Sequence, residues 1–378
     1  MNNIPRKLFA TIQEKLLTSN KIIVIYGARR VGKTTLVRQL LAEIPLKTLQ
    51  INADERRYIE VLSSRDFQKM QLLVDGYEVL FIDEAQRIPD IGINLKILHD
   101  NLPNLKIIVT GSSSFELANR TKESLTGRTW TYSLFPIALT ELKNQMNSFE
   151  IDQKLEELLV FGSYPDVLNF ANQQDKIKYL YELSNSYLYK DIFELSSIKY
   201  PDKLRRLLQL LAFQVGSEVS LNELGQSLQM SKDSVNTYID LLEKAFVVFR
   251  LSGYSRNLRK EVVKMDKIYF YDLGIRNAVI ENFHLFNLRN DVGQLWENFL
   301  VVERQKLNHY NENFIKPYFW RTYTGAELDY IEEGMQKLAG FEFKFGQKIS
   351  KPPKSWQENY PNATFECINK SNFIEFLV

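Results

Sequence analysis

The stretch GARRVGKTT, Gly27 to Thr35, sets two glycines, a lysine and a threonine at the spacing Gly27-x-x-x-x-Gly32-Lys33-Thr34. Glycines so placed let a backbone wrap closely enough for its N–H groups to face phosphate oxygens. A helix that starts at the lysine adds positive potential at the same point. In this reading Lys33 reaches the β- and γ-phosphates of ATP and Thr34 puts its hydroxyl on Mg²⁺, with Ala28, Arg29, Arg30, Val31 and Thr35 completing the phosphate-binding loop. Any glycine-rich turn can precede a helix, so the context decides. KIIVIYG before the loop is a β-branched apolar run stopped by glycine, and TLVRQLLAEI after it has helical spacing.

A second stretch, VLFIDEAQ, carries Asp83 to the end of an apolar run, where its carboxylate can hold the Mg²⁺ shell. Glu84, next in line, is placed to polarise an attacking water as general base. The run LKIIVTG ends in Thr110, Gly111 and Ser112, and a hydroxyl there could sense the γ-phosphate; Ser112 and Thr110 are both candidates. Arg128 in LTGRTW has two readings: an arginine finger for a neighbouring subunit's nucleotide, or a surface ion pair.

Far downstream, ELDYIEEGMQKLAGFEFKF (Glu327 to Phe345) alternates like a hairpin with Gly334 in its turn. Period two sets Glu342 and Lys344 on one face and Phe341, Phe343 and Phe345 on the other. A two-residue turn brings Asp329 opposite an even-numbered partner, on the face of Glu342. Two carboxylates and a lysine so grouped suit Mg²⁺-dependent phosphodiester cleavage, the carboxylates holding metal and Lys344 orienting water. Glu297 lies in GQLWENFLVVERQKL, a helix apolar on nearly every side, where an unpaired carboxylate is costly. It is a further metal-site candidate, with a salt bridge to Arg304 as the plain alternative.

The elements that must position these groups follow from pattern. Short apolar runs at Lys21 to Gly27, Leu46 to Asn52, Val79 to Glu84, Leu105 to Gly111 and Trp130 to Ile137 alternate with helical stretches, the sequence form of a parallel sheet covered by helices. Residues 151–202 have helical spacing broken at Gly162 and Pro165, which suits a hinge. Tyr179, Tyr181, Tyr187 and Tyr189 there read as packing in preference to a platform for stacked bases. VSLNELGQSLQMSKDSVNTYIDLLEKAFVVFRLSGYS reads as helix, turn, helix and strand: Ser231 caps the second helix and Val235, Ile239, Leu242 and Tyr238 form its apolar face. That is a winged-helix pattern, which serves either DNA contact, helped by the basic run Arg256 to Lys260, or interdomain packing.

A chain of 378 residues exceeds one ordinary core, given about 150 residues per domain. The formal net charge of +2 gives no compositional argument for nucleic acid. Its one cysteine, Cys367, excludes an intrachain disulfide, and His99, His284 and His309 lie too far apart for zinc spacing. With no signal-peptide-like start and no long apolar span, a cytoplasmic protein without membrane contact is expected.

Taken together, GARRVGKTTLVRQLL, VLFIDEAQRIPD, IIVTGSSS, LTGRTWTYSLFPIALTEL and KIYFYDLGIRNA resemble a large group of prokaryotic AAA-type ATPases that carry a C-terminal domain of uncharacterised function. The resemblance spans nearly the whole chain. It implies an α/β architecture: a P-loop ATPase core (1–150), a helical lid (151–202), a winged-helix segment (203–288) and a C-terminal restriction-endonuclease-like domain (289–378). In that last fold a helical glutamate commonly joins the metal site, and Glu297 matches its place, whereas Asp329 lacks the preceding proline of the nuclease pattern. The expected activity is Mg²⁺-dependent ATP hydrolysis gating the C-terminal module, with DNA or RNA and a second copy of the chain as candidate partners. Two alternatives stand beside it: an ATP-controlled nuclease acting through Asp329, Glu342 and Lys344, and a slow nucleotide switch that is mainly an interaction protein.

Overall fold

The computed structural model describes residues 4–112, 125–195, 200–255, 266–335 and 337–378, with the backbone alone for 186–195. The basic run Arg256 to Lys260 and the side chains of Tyr187 and Tyr189 lie outside the described residues. The chain divides into two compact units: residues 5–136 with 244–246, and residues 1–4, 137–243 and 247–378.

The first unit runs α1 (Leu8–Thr18), β1 (Ile22–Tyr26), α2 (Lys33–Glu43), β2 (Thr48–Asn52), α3 (Arg56–Leu62), α4 (Phe67–Val74), β3 (Val79–Asp83), α5 (Ile91–Asn101), β4 (Lys106–Gly111) and β5 (Thr129–Ser133). Its strands form one parallel sheet in the order β2-β3-β4-β1-β5. Every residue of β1 is buried, because helices cover both faces. Ile22, Val24, Ile82 and Val109 pack with Leu95 and Leu98 of α5 in one core cluster. This strand order matters for the site. β4 lies between β1 and β3, with Tyr26 level with Gly111 and Ile82 level with Val109, so Thr110 and Ser112 emerge between Asp83 and the loop after β1.

Two glycines shape that loop. Gly32, at φ 98, caps α2 in the left-handed region. Gly27 is a close approach: a Cβ there would lie 2.1 Å from the Leu134 carbonyl oxygen.

The second unit opens with helices α6 (Leu139–Leu142), α7 (Ser148–Phe161), α8 (Pro165–Asn169) and α9 (Gln173–Leu195). The glycine break between α7 and α8 is pinned. A Cβ on Gly162 (φ 72) would meet the Asp272 carboxylate at 2.1 Å, and Asp272 accepts from the Ser163 amide at 2.7 Å. Tyr179 donates to Asp166 at 2.8 Å and Tyr181 packs edge-on against Phe283, so both serve packing.

Next come α10 (Pro201–Phe213), β6 (Glu218–Val219), α11 (Leu221–Leu228), α12 (Lys232–Lys244), β7 (Val248–Leu251), β8 (Asp266–Phe270) and α13 (Leu273–Val279), with an antiparallel sheet in the order β6-β8-β7. Ser231 accepts from the Ser234 amide at 3.1 Å, and Val235, Tyr238, Ile239 and Leu242 are buried. The polar side of α12 is engaged within the unit: Arg250 of β7 pairs with both Asp240 and Glu243.

The chain ends with α14 (Val292–Tyr310), β9 (Lys316–Arg321), β10 (Glu327–Glu333), β11 (Leu338–Phe343), α15 (Lys354–Asn359), β12 (Thr364–Ile368) and α16 (Phe373–Leu377). Their sheet runs β12-β11-β10-β9, antiparallel except for the parallel β11–β12 pair. Phe341 and Phe343 pack on Tyr330 and Phe376, while Leu328, Ile331, Trp320 and Trp356 form a separate cluster. The register between β9 and β10 shifts by one residue between Leu328 and Ile331. A bulge of this kind re-aims the side chains it carries, here Asp329 and Tyr330.

Candidate nucleotide site and carboxylate cluster

At the C-terminal edge of the parallel sheet the expected nucleotide residues converge. Lys33 is 4% exposed, and its ammonium donates to the carbonyls of Gly27 (2.9 Å) and Ala28 (2.8 Å), curled onto its own loop. Thr34 donates to both carboxylate oxygens of Asp83, at 3.0 and 2.8 Å. The Thr110 hydroxyl donates to Asp83 at 2.5 Å and accepts from the Glu84 amide at 3.3 Å. Hydroxyl and carboxylate oxygens are the hard donors that Mg²⁺ takes, usually with several waters retained, so Thr34 and Asp83 fit that ion.

Glu84 adopts φ 55, a left-handed conformation uncommon for a residue with a Cβ. Its carboxylate accepts from Gln86 Nε2 at 2.5 Å, and the same nitrogen donates to the Ser112 hydroxyl at 2.9 Å. Gln86 therefore links the candidate base to the end of β4. Sequence reasoning missed it, although its position two residues after Glu84 was in plain view. Among the described residues the buried Gln86 Oε1 has no hydrogen-bond partner.

Arg128 is not brought to this edge. Its carbonyl accepts from the Ile22 amide, at the start of β1, and its guanidinium holds Asp100 at 2.8 and 3.1 Å. The five residues of β1 separate it from the phosphate loop, about 15 Å along the strand.

The second grouping lies in the C-terminal sheet. The β10–β11 register pairs Tyr330 with Phe341, and Gly334 donates to the Lys337 carbonyl in the turn. Asp329 accepts from the Phe343 amide at 2.7 Å. Burial and the charge of Glu297 push its carboxyl up to about 7, against the pull of Lys267, that amide and Lys344. Burial and the charge of Asp329 also raise Glu342, which pairs with Lys344 at 2.5 Å.

Glu297 is held from β8 instead of by Arg304: Lys267 donates to it at 3.0 Å and Tyr269 at 2.6 Å. Burial alone would lower Lys267, but the charges of Glu297 and Asp329 outweigh it and the ammonium is favoured. Tyr269 is raised well above the ordinary phenol by burial and Glu297. Arg304 pairs with Glu332, at 2.8 Å from both Nε and Nη2. Among the described residues no group of three or more His, Cys, Asp or Glu side chains gathers closely enough to hold a metal ion. Nor, among them, is any helix long and apolar enough to cross a membrane.

Comparison with known proteins adds three matched segments. Residues 19–143 match the family described as "AAA domain", residues 152–285 a domain of unknown function (DUF8612) and residues 292–367 another (DUF4143). An uncharacterized protein of Mycobacterium tuberculosis is 27% identical over 345 residues, covering 90% of this chain and 74% of that protein. One from Methanocaldococcus jannaschii is 25% identical over 341 residues, covering 85% of this chain and 74% of that one. Among solved structures, the Walker-type ATPase of Pyrococcus abyssi aligns with a TM-score of 0.50 at 17% identity, covering 74% of this chain and 96% of that one, a likeness of fold. The AAA match, the five-stranded parallel sheet and the loop between β1 and α2 together make residues 19–143 an AAA-type P-loop ATPase domain.

Proposed function

We propose that this chain is a Mg²⁺-dependent ATPase whose nucleotide cycle acts on its own C-terminal module. The observation that carries the reading is the joined hydrogen-bond system of Thr34, Asp83 and Thr110, with Glu84 beside it and tied through Gln86 to Ser112. Each residue then has a task. Lys33 exchanges the loop carbonyls for the β- and γ-phosphate oxygens. The loop amides from Ala28 to Thr35 and the start of α2 hold the phosphates by aligned N–H groups. Thr34 and Asp83 would hold Mg²⁺, which when bound would supply charge neutralisation on the phosphates. Glu84 takes the proton from the attacking water, and Thr110 and Ser112 fix the polar wall against which that water is aligned.

For the C-terminal module a non-cleaving shell is the better reading. Lys267 and Tyr269 already satisfy Glu297, and Lys344 pairs with Glu342. An ATP-controlled nuclease remains the second reading, because Asp329, Glu342 and Lys344 do share one electrostatic neighbourhood, and Mg²⁺ needs only one or two carboxylates beside its waters. DNA or RNA as partner is left to the test below, the acids of α12 being paired with Arg250 within this unit.

The test is ATP turnover measured with and without several DNA and RNA forms, with the nucleic acid followed for nicks in Mg²⁺ and Mn²⁺. Lys33→Ala should abolish turnover. No nicks are expected from wild type. Nicks that disappear in Asp329→Ala and Lys344→Met would install the nuclease reading instead.

A further inference from the structure

Arg6 precedes α1 and is only 9% exposed. Its guanidinium donates from Nη1 to the Val31 carbonyl at 2.5 Å and from Nη2 to the Phe135 carbonyl at 2.6 Å. These acceptors belong to two segments that both shape the nucleotide site. Val31 stands between Arg30 (φ 62) and Gly32 (φ 98), so the loop makes two left-handed turns around the carbonyl that Arg6 holds. Arg30 occupies that region with a Cβ, a conformation that persists only where the surroundings enforce it. Phe135 follows Leu134, whose amide donates to the Tyr26 carbonyl at 2.7 Å and whose own carbonyl excludes a side chain at Gly27. One fork thus joins the far end of the loop to the segment that walls its near end.

We propose that Arg6 is a positioning residue for nucleotide binding. It fixes the Arg30–Gly32 turn before the nucleotide arrives, so that the amides are already aimed at the phosphates. A carbonyl bound to Arg6 cannot rotate toward the phosphate oxygens, which it would repel. Preorganisation of this kind raises affinity by removing an ordering cost from the binding step. Arginine suits the task because its planar fork reaches two acceptors with one orientation, which a lysine ammonium on a flexible stem does not reproduce. The inference rests on the P-loop reading above, and Lys33→Ala separates the two.

The experiment uses the full chain. Affinity for a non-hydrolysable Mg-ATP analogue, melting temperature without nucleotide, and KM and kcat for ATP are measured for wild type, Lys33→Ala, Arg6→Gln and Arg6→Lys. Arg6→Gln should weaken the analogue about tenfold and raise KM by a like factor, with kcat at saturation within about threefold of wild type, as expected when uniform binding is lost. Arg6→Lys should fall between. If Arg6→Gln does not fold, Arg6→Lys decides alone: a lowered melting temperature with wild-type affinity makes Arg6 a fold-stabilising residue and overturns the proposal. Wild type that binds no analogue at all overturns the P-loop reading and this inference with it, whereas binding lost in Lys33→Ala and kept in both Arg6 variants sinks the Arg6 inference alone.

Discussion

Replacing Glu84 by Gln isolates the chemical step. The two side chains have the same length, and both meet the same strain at φ 55, so the backbone after β3 has no reason to move. The bonds that define nucleotide binding do not use the Glu84 side chain: Lys33 rests on the carbonyls of Gly27 and Ala28, Thr34 rests on Asp83, and the Glu84 amide that reaches Thr110 is main chain. A glutamine oxygen can still accept from Gln86 Nε2, now at 2.5 Å from the carboxylate. What vanishes is the basicity. General-base catalysis contributes about 10²–10⁴ in rate, or roughly 2.7–5.5 kcal/mol of barrier. Glu84→Gln should therefore bind ATP within about twofold of wild type while kcat falls by at least about a hundredfold. Phosphate release at saturating ATP, together with a direct binding titration, measures both. Wild-type kcat in the variant would remove Glu84 from the mechanism, and an affinity loss as large as the rate loss would show that the side chain shapes the loop.

Gly27→Ala should abolish nucleotide binding and lower the melting temperature, because the added Cβ would lie 2.1 Å from the Leu134 carbonyl oxygen in a backbone that the Tyr26–Leu134 bond holds in place. Asp329 predicts a pH dependence of stability. Burial pushes its carboxyl up to about 7 in the folded chain from an ordinary 3.8, so the folded state binds the proton more tightly and wild-type stability falls as pH rises from about 4 to about 7, then stays level. The loss is at most about 4 kcal/mol. Asp329→Asn, which keeps an acceptor for the Phe343 amide, should lack that slope and melt at or above wild type at pH 8. Melting curves at pH 5 and pH 8 decide it, and equal slopes in both proteins would refute the burial argument.

The three central strands β1, β3 and β4 were legible because a strand covered on both faces must be apolar throughout, whereas the edge strands β2 and β5 are only partly buried and carry polar residues among their apolar ones. Lys33, Thr34, Asp83 and Glu84 were legible for a related reason: a phosphate loop and its strand-end acid are built from contiguous residues, so local spacing carries the geometry. Arg128 had two readings, and its pairing with Asp100 is the ion pair of the second; spacing within one chain carries nothing about a neighbouring subunit's nucleotide. Gln86 was hidden because its link to Ser112 depends on the left-handed turn at Glu84 and on β4 lying beside β3. Parity grouped Asp329 with Glu342 but took period two as unbroken; the bulge against β9 shifts that phase, so that Leu328 and Ile331, three residues apart, share one cluster.

Lys267 and Tyr269 were beyond any spacing rule, and they alter the chemistry most. They come from β8 yet close on Glu297 in α14, and Lys267 also faces the charge of Asp329. Glu297, Asp329 and Glu342 therefore share their surroundings with Lys267 and Lys344, and the charge of Glu327 also reaches Lys267 and Glu342, so the acids outnumber the bases. Asp329 absorbs the imbalance by keeping its proton to about pH 7. A divalent cation entering at Asp329 and Glu342 has to displace that proton and separate Lys344 from Glu342, and at Glu297 it meets an ammonium that is 6% exposed and cannot readily withdraw to solvent. The same residue types that spell a metal site along the sequence are thus met, through a lysine and a tyrosine from another sheet, by partners of their own. On this ground we propose the shell ahead of the nuclease.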